Sequence, residues 1–142
     1  MTQSDILNPK SIREIVYSFQ QSRVLLTAVE LDLFKHTEGH LITSEEVAEK
    51  LGTETRATDR LMNALVALGF LRKKNNKFYN SNAASNFLIE GKETYMSGLD
   101  HAVHLWKNWN TLTEAVKKGS CVKEKPGERD AEHWEAFITA MY

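Results

Sequence analysis

His101 and His104 stand three residues apart, a spacing that sets two imidazoles one helical turn from each other where they can share a metal ion, with Asp100 beside them. No third ligand recurs at a fitting spacing, so surface or interface histidines are expected and a metal is not. The one cysteine, Cys121, lies in a polar stretch without the Cys, His and Asn pattern of a thiol nucleophile. A single cysteine also excludes an internal disulfide framework and a cysteine zinc site. Tyr95, Trp106 and Trp109, with Trp134 and Phe137, could line a pocket for a flat ligand. Their helical spacing makes core or interface packing the expectation; Trp109, Phe137 and Met141 are the residues that could instead touch a ligand. Arg72, Lys73, Lys74 and Lys77 form a basic cluster suited to phosphate contact. The seven glycines stand at 39, 52, 69, 91, 98, 119 and 127, never as a G-x-G pair. These residues therefore hold no glycine-rich nucleotide turn.

The elements that position these groups follow from composition and punctuation. A chain of 142 residues fits one domain against a prior of roughly 100 to 200 residues each. With 42% hydrophobic and 26% charged residues it is a folded, water-soluble type. Its 18 Lys and Arg against 19 Asp and Glu leave a formal charge of -1 and no overall pull toward nucleic acid or anionic lipid. The polar start, Met1 to Asn8, lacks signal-peptide character, and nowhere do about 18 apolar residues run together. Cytoplasmic location and no membrane partner are expected.

Asn8-Pro9 and the box Ser11-x-x-Glu14 predict a helix start near Pro9. Ile12, Ile15, Val16, Phe19, Leu26 and Val29 continue at helical spacing, predicting one helix over 9–35, about twice the mean length of helices in globular proteins. Thr43-x-x-Glu46 predicts a short helix closed by Gly52, and Thr55 is read as the cap of a second one ending at Gly69. Phe70-Leu71 and Phe78-Tyr79 flank a basic turn and predict a hairpin, completing helix-turn-helix plus wing over 43–79. A short helix capped by Ser81 or Asn82 should end at Gly91. Over 93–142 a second long helix is expected from Glu93 to Gly119, then a loop, then a final helix with Trp134, Phe137, Ile138 and Met141 on one face. The fold class expected is mainly α, a winged-helix domain flanked by long helices.

Four segments carry a resemblance: Ala28-Val-Glu-Leu-Asp-Leu-Phe34, Thr43-Ser-Glu-Glu-Val-Ala-Glu-Lys-Leu-Gly52, Arg60-Leu-Met-Asn-Ala-Leu-Val-Ala-Leu-Gly-Phe-Leu71, and Trp109-x-x-Leu112-x-x-Ala115-Val116-x-x-Gly119. Together with Phe137-Ile-Thr-Ala-Met141 they resemble the N-terminal domain of S-adenosylmethionine-dependent O-methyltransferases, the group of plant small-molecule and hydroxyindole enzymes and their microbial relatives. The resemblance implies a winged-helix dimerisation domain, 1–142, whose long helices interlock with a second copy and whose last helices wall the acceptor pocket. It implies that S-adenosylmethionine binds in a separate Rossmann-like domain, so no catalytic or cofactor residue is carried onto this sequence. Trp109, Phe137 and Met141 take pocket-wall roles. Two overlong helices with several apolar faces independently predict a homodimer with Ile12, Val16, Phe19 and Leu26 among its contacts, since a stable interface buries about 800 Å² per partner. The alternative is a stand-alone winged-helix regulator. Against it, Glu54 and Asp59 offset Arg56 and Arg60 on the recognition helix, so nucleic acid is not expected.

Overall fold

The computed structural model describes residues 7–122, so Trp134, Phe137, Ile138 and Met141 lie outside the described residues. Helix α1 spans Pro9–Glu30. It starts at Pro9 as expected, but the capping pair is Asn8 and Ser11, three residues before the Ser11-Glu14 box. Asn8 is the cap, its side chain accepting from the amides of Lys10 and Ser11 at 2.9 and 3.0 Å, while the Ser11 hydroxyl accepts from the Asn8 amide at 2.9 Å. Asn in the cap position satisfies the Lys10 and Ser11 amides, which have no partner within the helix, while Pro9 has no N–H to satisfy.

The helix expected over 9–35 breaks at Leu31 and Asp32. Asp32 takes the left-handed conformation at φ 52, and a one-turn helix α2, Leu33–His36, follows in a new direction. Aspartate is one of the few side chains that tolerates this region, which is why the break needs neither Gly nor Pro.

Helix α3, Ser44–Leu51, carries the capping box read from the sequence: the Thr43 hydroxyl accepts from the Glu46 amide, and the Glu46 carboxylate accepts from the Thr43 amide at 2.8 Å. Gly52 closes it in the left-handed region at φ 65. Helix α4, Thr55–Ala67, is capped by Glu54 in place of the expected Thr55; its carboxylate accepts from the amides of Arg56 and Ala57 at 2.9 and 2.6 Å. Strands β1, Leu71–Lys74, and β2, Lys77–Asn80, pair antiparallel with Lys73 opposite Phe78. The basic run is thus mostly strand, and only Asn75-Asn76 turns. Both have positive φ, as a two-residue turn that matches strand twist demands. Ile42 adds an antiparallel bridge to Phe78, with bonds of 3.0 and 2.7 Å.

Helix α5, Asn82–Phe87, starts under the Ser81 hydroxyl. The second long helix is also divided. It begins at Gly98, not Glu93, and forms α6, Gly98–Trp109, and α7, Leu112–Lys118, with Gly119 closing the latter at φ 72. Thr111, at φ -95 and ψ 4, interrupts the ladder between them.

The core gathers Val29, Leu33, Phe34, Val47, Met62 and Phe78 from α1, α2, α3, α4 and β2. A buried polar network locks its edge: the Thr37 hydroxyl donates to Asn80 Oδ1 at 2.6 Å, and Asn80 Nδ2 donates to the Phe34 carbonyl at 2.8 Å and to Glu38 at 3.0 Å. Ser85 and Lys92 donate to the same carboxylate, each at 2.6 Å. One side chain therefore ties α2, β2, α5 and the segment after it. These donors, Lys92 first, hold the Glu38 pKa down at about 2 from its ordinary 4.5.

Phe78→Ala should destabilise the fold by about 3 to 5 kcal/mol in urea unfolding, the range for a fully buried aromatic. The depressed Glu38 pKa contributes stability that is present above about pH 4.5 and lost as pH falls toward 2. The melting-temperature difference between wild type and Glu38→Gln should accordingly be full near neutrality and shrink through that window; a difference independent of pH would mean that the charge of Glu38 is not what the network uses.

Candidate functional site

Burial on α1 changes along its length. Leu26, Ala28 and Val29 in its last turns are buried, while Ile12, Ile15, Val16 and Phe19 lie at least half in water, at 51, 65, 55 and 50% exposure. Steps of three, one and three place these four on a single stripe. Of the residues predicted for an interface, Ile12, Val16 and Phe19 occupy that stripe. Leu26 does not: it is 6% exposed and covered by its own chain. Ile15 belongs to the stripe in its place.

Helix α6 packs on α1. No residue of α6 or α7 is fully buried. Trp106 makes the contact, its ring 6.3 Å from that of Phe19 at 45° and 5.8 Å below the Arg23 guanidinium, which also pairs with Glu30. Beyond it, Leu105, Trp109, Leu112 and Val116 are exposed, Trp109 at 67%. Two apolar surfaces, one on α1 and one on α6–α7, thus flank a shared aromatic contact.

The remaining candidates have structural partners. Asp100 accepts a hydrogen bond from the Tyr95 hydroxyl at 3.1 Å, and burial followed by the Asp100 charge raises the Tyr95 pKa. His101 and His104 are half-buried on α6, and among the described residues no group of three His, Cys, Asp or Glu could hold a metal ion. Cys121 is exposed. Tyr95 closes a cleft of about 290 Å³ that also includes Val29, Asp32, Phe34, Ile89 and Glu90.

The face that a DNA-reading helix would present is occupied from within. The Ser44 hydroxyl donates to Asp59 at 3.0 Å, Asn63 donates to the same carboxylate at 2.9 Å, and Lys73 Nζ donates to Asn63 at 2.9 Å while lying 4.6 Å over the Phe78 ring. At the α4 N-terminus, where amides would meet a phosphate, the Glu54 carboxylate sits already, its pKa lowered by those amides.

The family described as O-methyltransferase dimerisation domain matches residues 14–91, more than half of the chain. The chain belongs to that family. Among relatives of the dimerisation domain, the tetracenomycin polyketide synthesis 8-O-methyl transferase TcmO of Streptomyces glaucescens is 34% identical, over 96% of this chain and 42% of TcmO. The N,N-dimethyltransferase OxyT of Streptomyces rimosus is 30% identical, over 92% of this chain and 39% of OxyT. A solved O-methyltransferase family protein from Burkholderia thailandensis superposes with a TM-score of 0.79 at 27% identity, over 95% of this chain and 42% of that protein. The chain therefore spans about two fifths of the length of the relatives it matches. The mainly helical dimerisation fold expected from the sequence is the one found.

The matched residues, 14–91, cover most of α1 and the whole core, but stop before α6. The Arg23 contact with Trp106 has no signal in α1 alone and shows only once α6 is placed.

Proposed function

We propose that this dimerisation domain joins two copies of an S-adenosylmethionine-dependent small-molecule methyltransferase, and that it walls the acceptor pocket without taking part in the chemistry. Exposure of the Ile12, Ile15, Val16 and Phe19 stripe carries the reading. Apolar side chains in such a row gain about 25 cal/mol for each Å² they remove from water, and a second copy supplies a matching stripe. Residues 1–142 form one unit in this reading, and methyl transfer belongs to a further Rossmann-like domain. Transfer to oxygen is the reading favoured by the family name, while the OxyT name keeps nitrogen open.

Trp109 is the described residue proposed as pocket wall; Phe137 and Met141 share the role from outside the described residues. A wall of this kind excludes water and holds the acceptor in line with the donor, effects worth several kcal/mol when geometry is right. S-adenosylmethionine supplies the methyl group when bound. The described residues do not fit it: their positive-φ glycines stand singly at helix and turn ends, and none forms a loop that would cradle a nucleoside.

The partners proposed are a second copy and a small acceptor. Nucleic acid is not among them, because Glu54 and Asp59 hold the places where phosphate and bases would sit. No described helix is long and apolar enough to cross a membrane. A cytoplasmic setting accords with the single unpaired cysteine.

Sedimentation equilibrium at micromolar concentration should give a dimer. Ile12→Asp and Val16→Asp should each weaken it by roughly 100-fold or more with helical circular dichroism unchanged, because a buried unpaired carboxylate costs several kcal/mol. A wild-type monomer under these conditions would sink the reading. Duplex DNA at near-physiological salt should show no mobility shift with the protein; a shift that weakens as salt rises would instead favour the regulator.

A further inference from the structure

Trp106 occupies a slot on α1 one helical turn deep. Phe19 forms one wall, with ring centroids 6.3 Å apart, and Arg23 the other, with its guanidinium 5.8 Å from the indole centre. Glu30 pairs with that guanidinium from two turns further along α1 and so limits the directions it can take. The slot is where ring and cation contacts join α6 to α1; α6 also has Leu99 against the core and Asp100 bonded to Tyr95 at its N-terminal end, with His101 and His104 half-buried between. Trp106 is thus an anchor in the C-terminal half of α6, and Trp109 stands three residues further on, 67% exposed.

Phe19 belongs to two structures at once. One side of its ring meets Trp106, and half of its surface lies on the exposed α1 stripe. Whatever covers that stripe also confines the wall of the Trp106 slot.

We propose that Arg23 is a positioning residue which, with Phe19, latches Trp106 to α1, so that covering the α1 stripe with a second copy fixes the direction in which α6 presents Trp109. The proposal rests on the association reading above. Its physical content is a linkage: if the seated latch and the covered stripe favour each other, loosening either weakens the other by the same factor. Arg23 then influences association through α6 as well as through any contact of its own.

The test uses the full chain with Trp109→Phe and Trp134→Phe, which leaves Trp106 as its only tryptophan. Emission and sedimentation are followed over the same dilution series. Trp106 emission should move to longer wavelength in step with dissociation. Arg23→Met keeps an apolar stem but removes the cation; it should shift the emission even at high concentration and raise the dissociation constant about five- to tenfold, the range of a partly shielded cation and indole. Arg23→Lys should fall between the two. Phe19→Leu, which keeps an apolar group on the stripe and removes the ring, should shift Trp106 in the same direction. Circular dichroism identifies any variant that has lost its fold.

Emission that stays constant while sedimentation shows dissociation overturns the coupling and leaves the dimer standing. An Arg23→Met protein that is folded and matches its parent in both measurements also overturns it. A protein that is monomeric at every concentration removes the association reading and the coupling together, and sedimentation alone identifies that case.

Discussion

Half of α1 is anchored in the core and half is not, and the rest of the molecule is arranged around that asymmetry. A helix of 22 residues is about 33 Å long and cannot fold back to shelter its own apolar stripe. The other described segments are committed elsewhere. Helices α2 to α4 and the hairpin close around Val29, Phe34, Met62 and Phe78, and α6 meets α1 at Phe19 through Trp106. What remains is a row of Ile, Ile, Val and Phe side chains in water, beside a pair of helices that bury nothing completely. Single exposed apolar residues need no explanation on a protein surface, but a continuous row at helical spacing does.

The buried half is built to be stiff. Ile42 and Phe78 exchange both backbone bonds, which carries the hairpin onto the chain ahead of α3. The Thr37 and Asn80 side chains complete each other inside, and Glu38 gathers Asn80, Ser85 and Lys92 at the rim. Buried polar groups that are all paired add direction to a core whose apolar contacts have none. The outcome is a platform that holds the last turns of α1 through Leu26, Ala28 and Val29.

How much of this was legible varied with the kind of signal. The Thr43 and Glu46 box, Gly52, Gly119 and the paired asparagines of the hairpin are local devices, and each acts where its spacing indicated. The two long helices were harder. Leu31-Asp32 contains no recognised breaker, and Asp32 adopts a left-handed conformation that allows α2 to turn and bury Leu33 and Phe34. The apolar periodicity ran through the bend because residues on both sides face the same core. Asn110 and Thr111 divide α6 from α7 in the same unannounced way. Leu26 shared the spacing of the stripe, yet its own chain covers it; periodicity identifies a face without saying whose surface will meet it. The resemblance to the methyltransferase family rested on longer patterns that survive such local bends, which explains why the family was readable where the boundaries were not. Arg23 was invisible for a further reason, since nothing in α1 alone shows that a tryptophan from residues 98–109 will lie beneath it.

The order helix, turn, helix, hairpin is shared with proteins that read DNA, and side-chain chemistry decides whether the order is put to that use. Here the amides at the start of α4 are spent on the Glu54 carboxylate, and Asp59 draws Ser44 and Asn63 into bonds across α3 and α4. Lys73, placed on the hairpin where a phosphate contact would be expected, bonds to Asn63 and lies over Phe78. The Ser44, Asp59 and Asn63 bonds tie α3 to α4, and Lys73 ties the hairpin to α4. The same residues thus help to brace the hairpin and α4 beside the core in which the last turns of α1 are anchored.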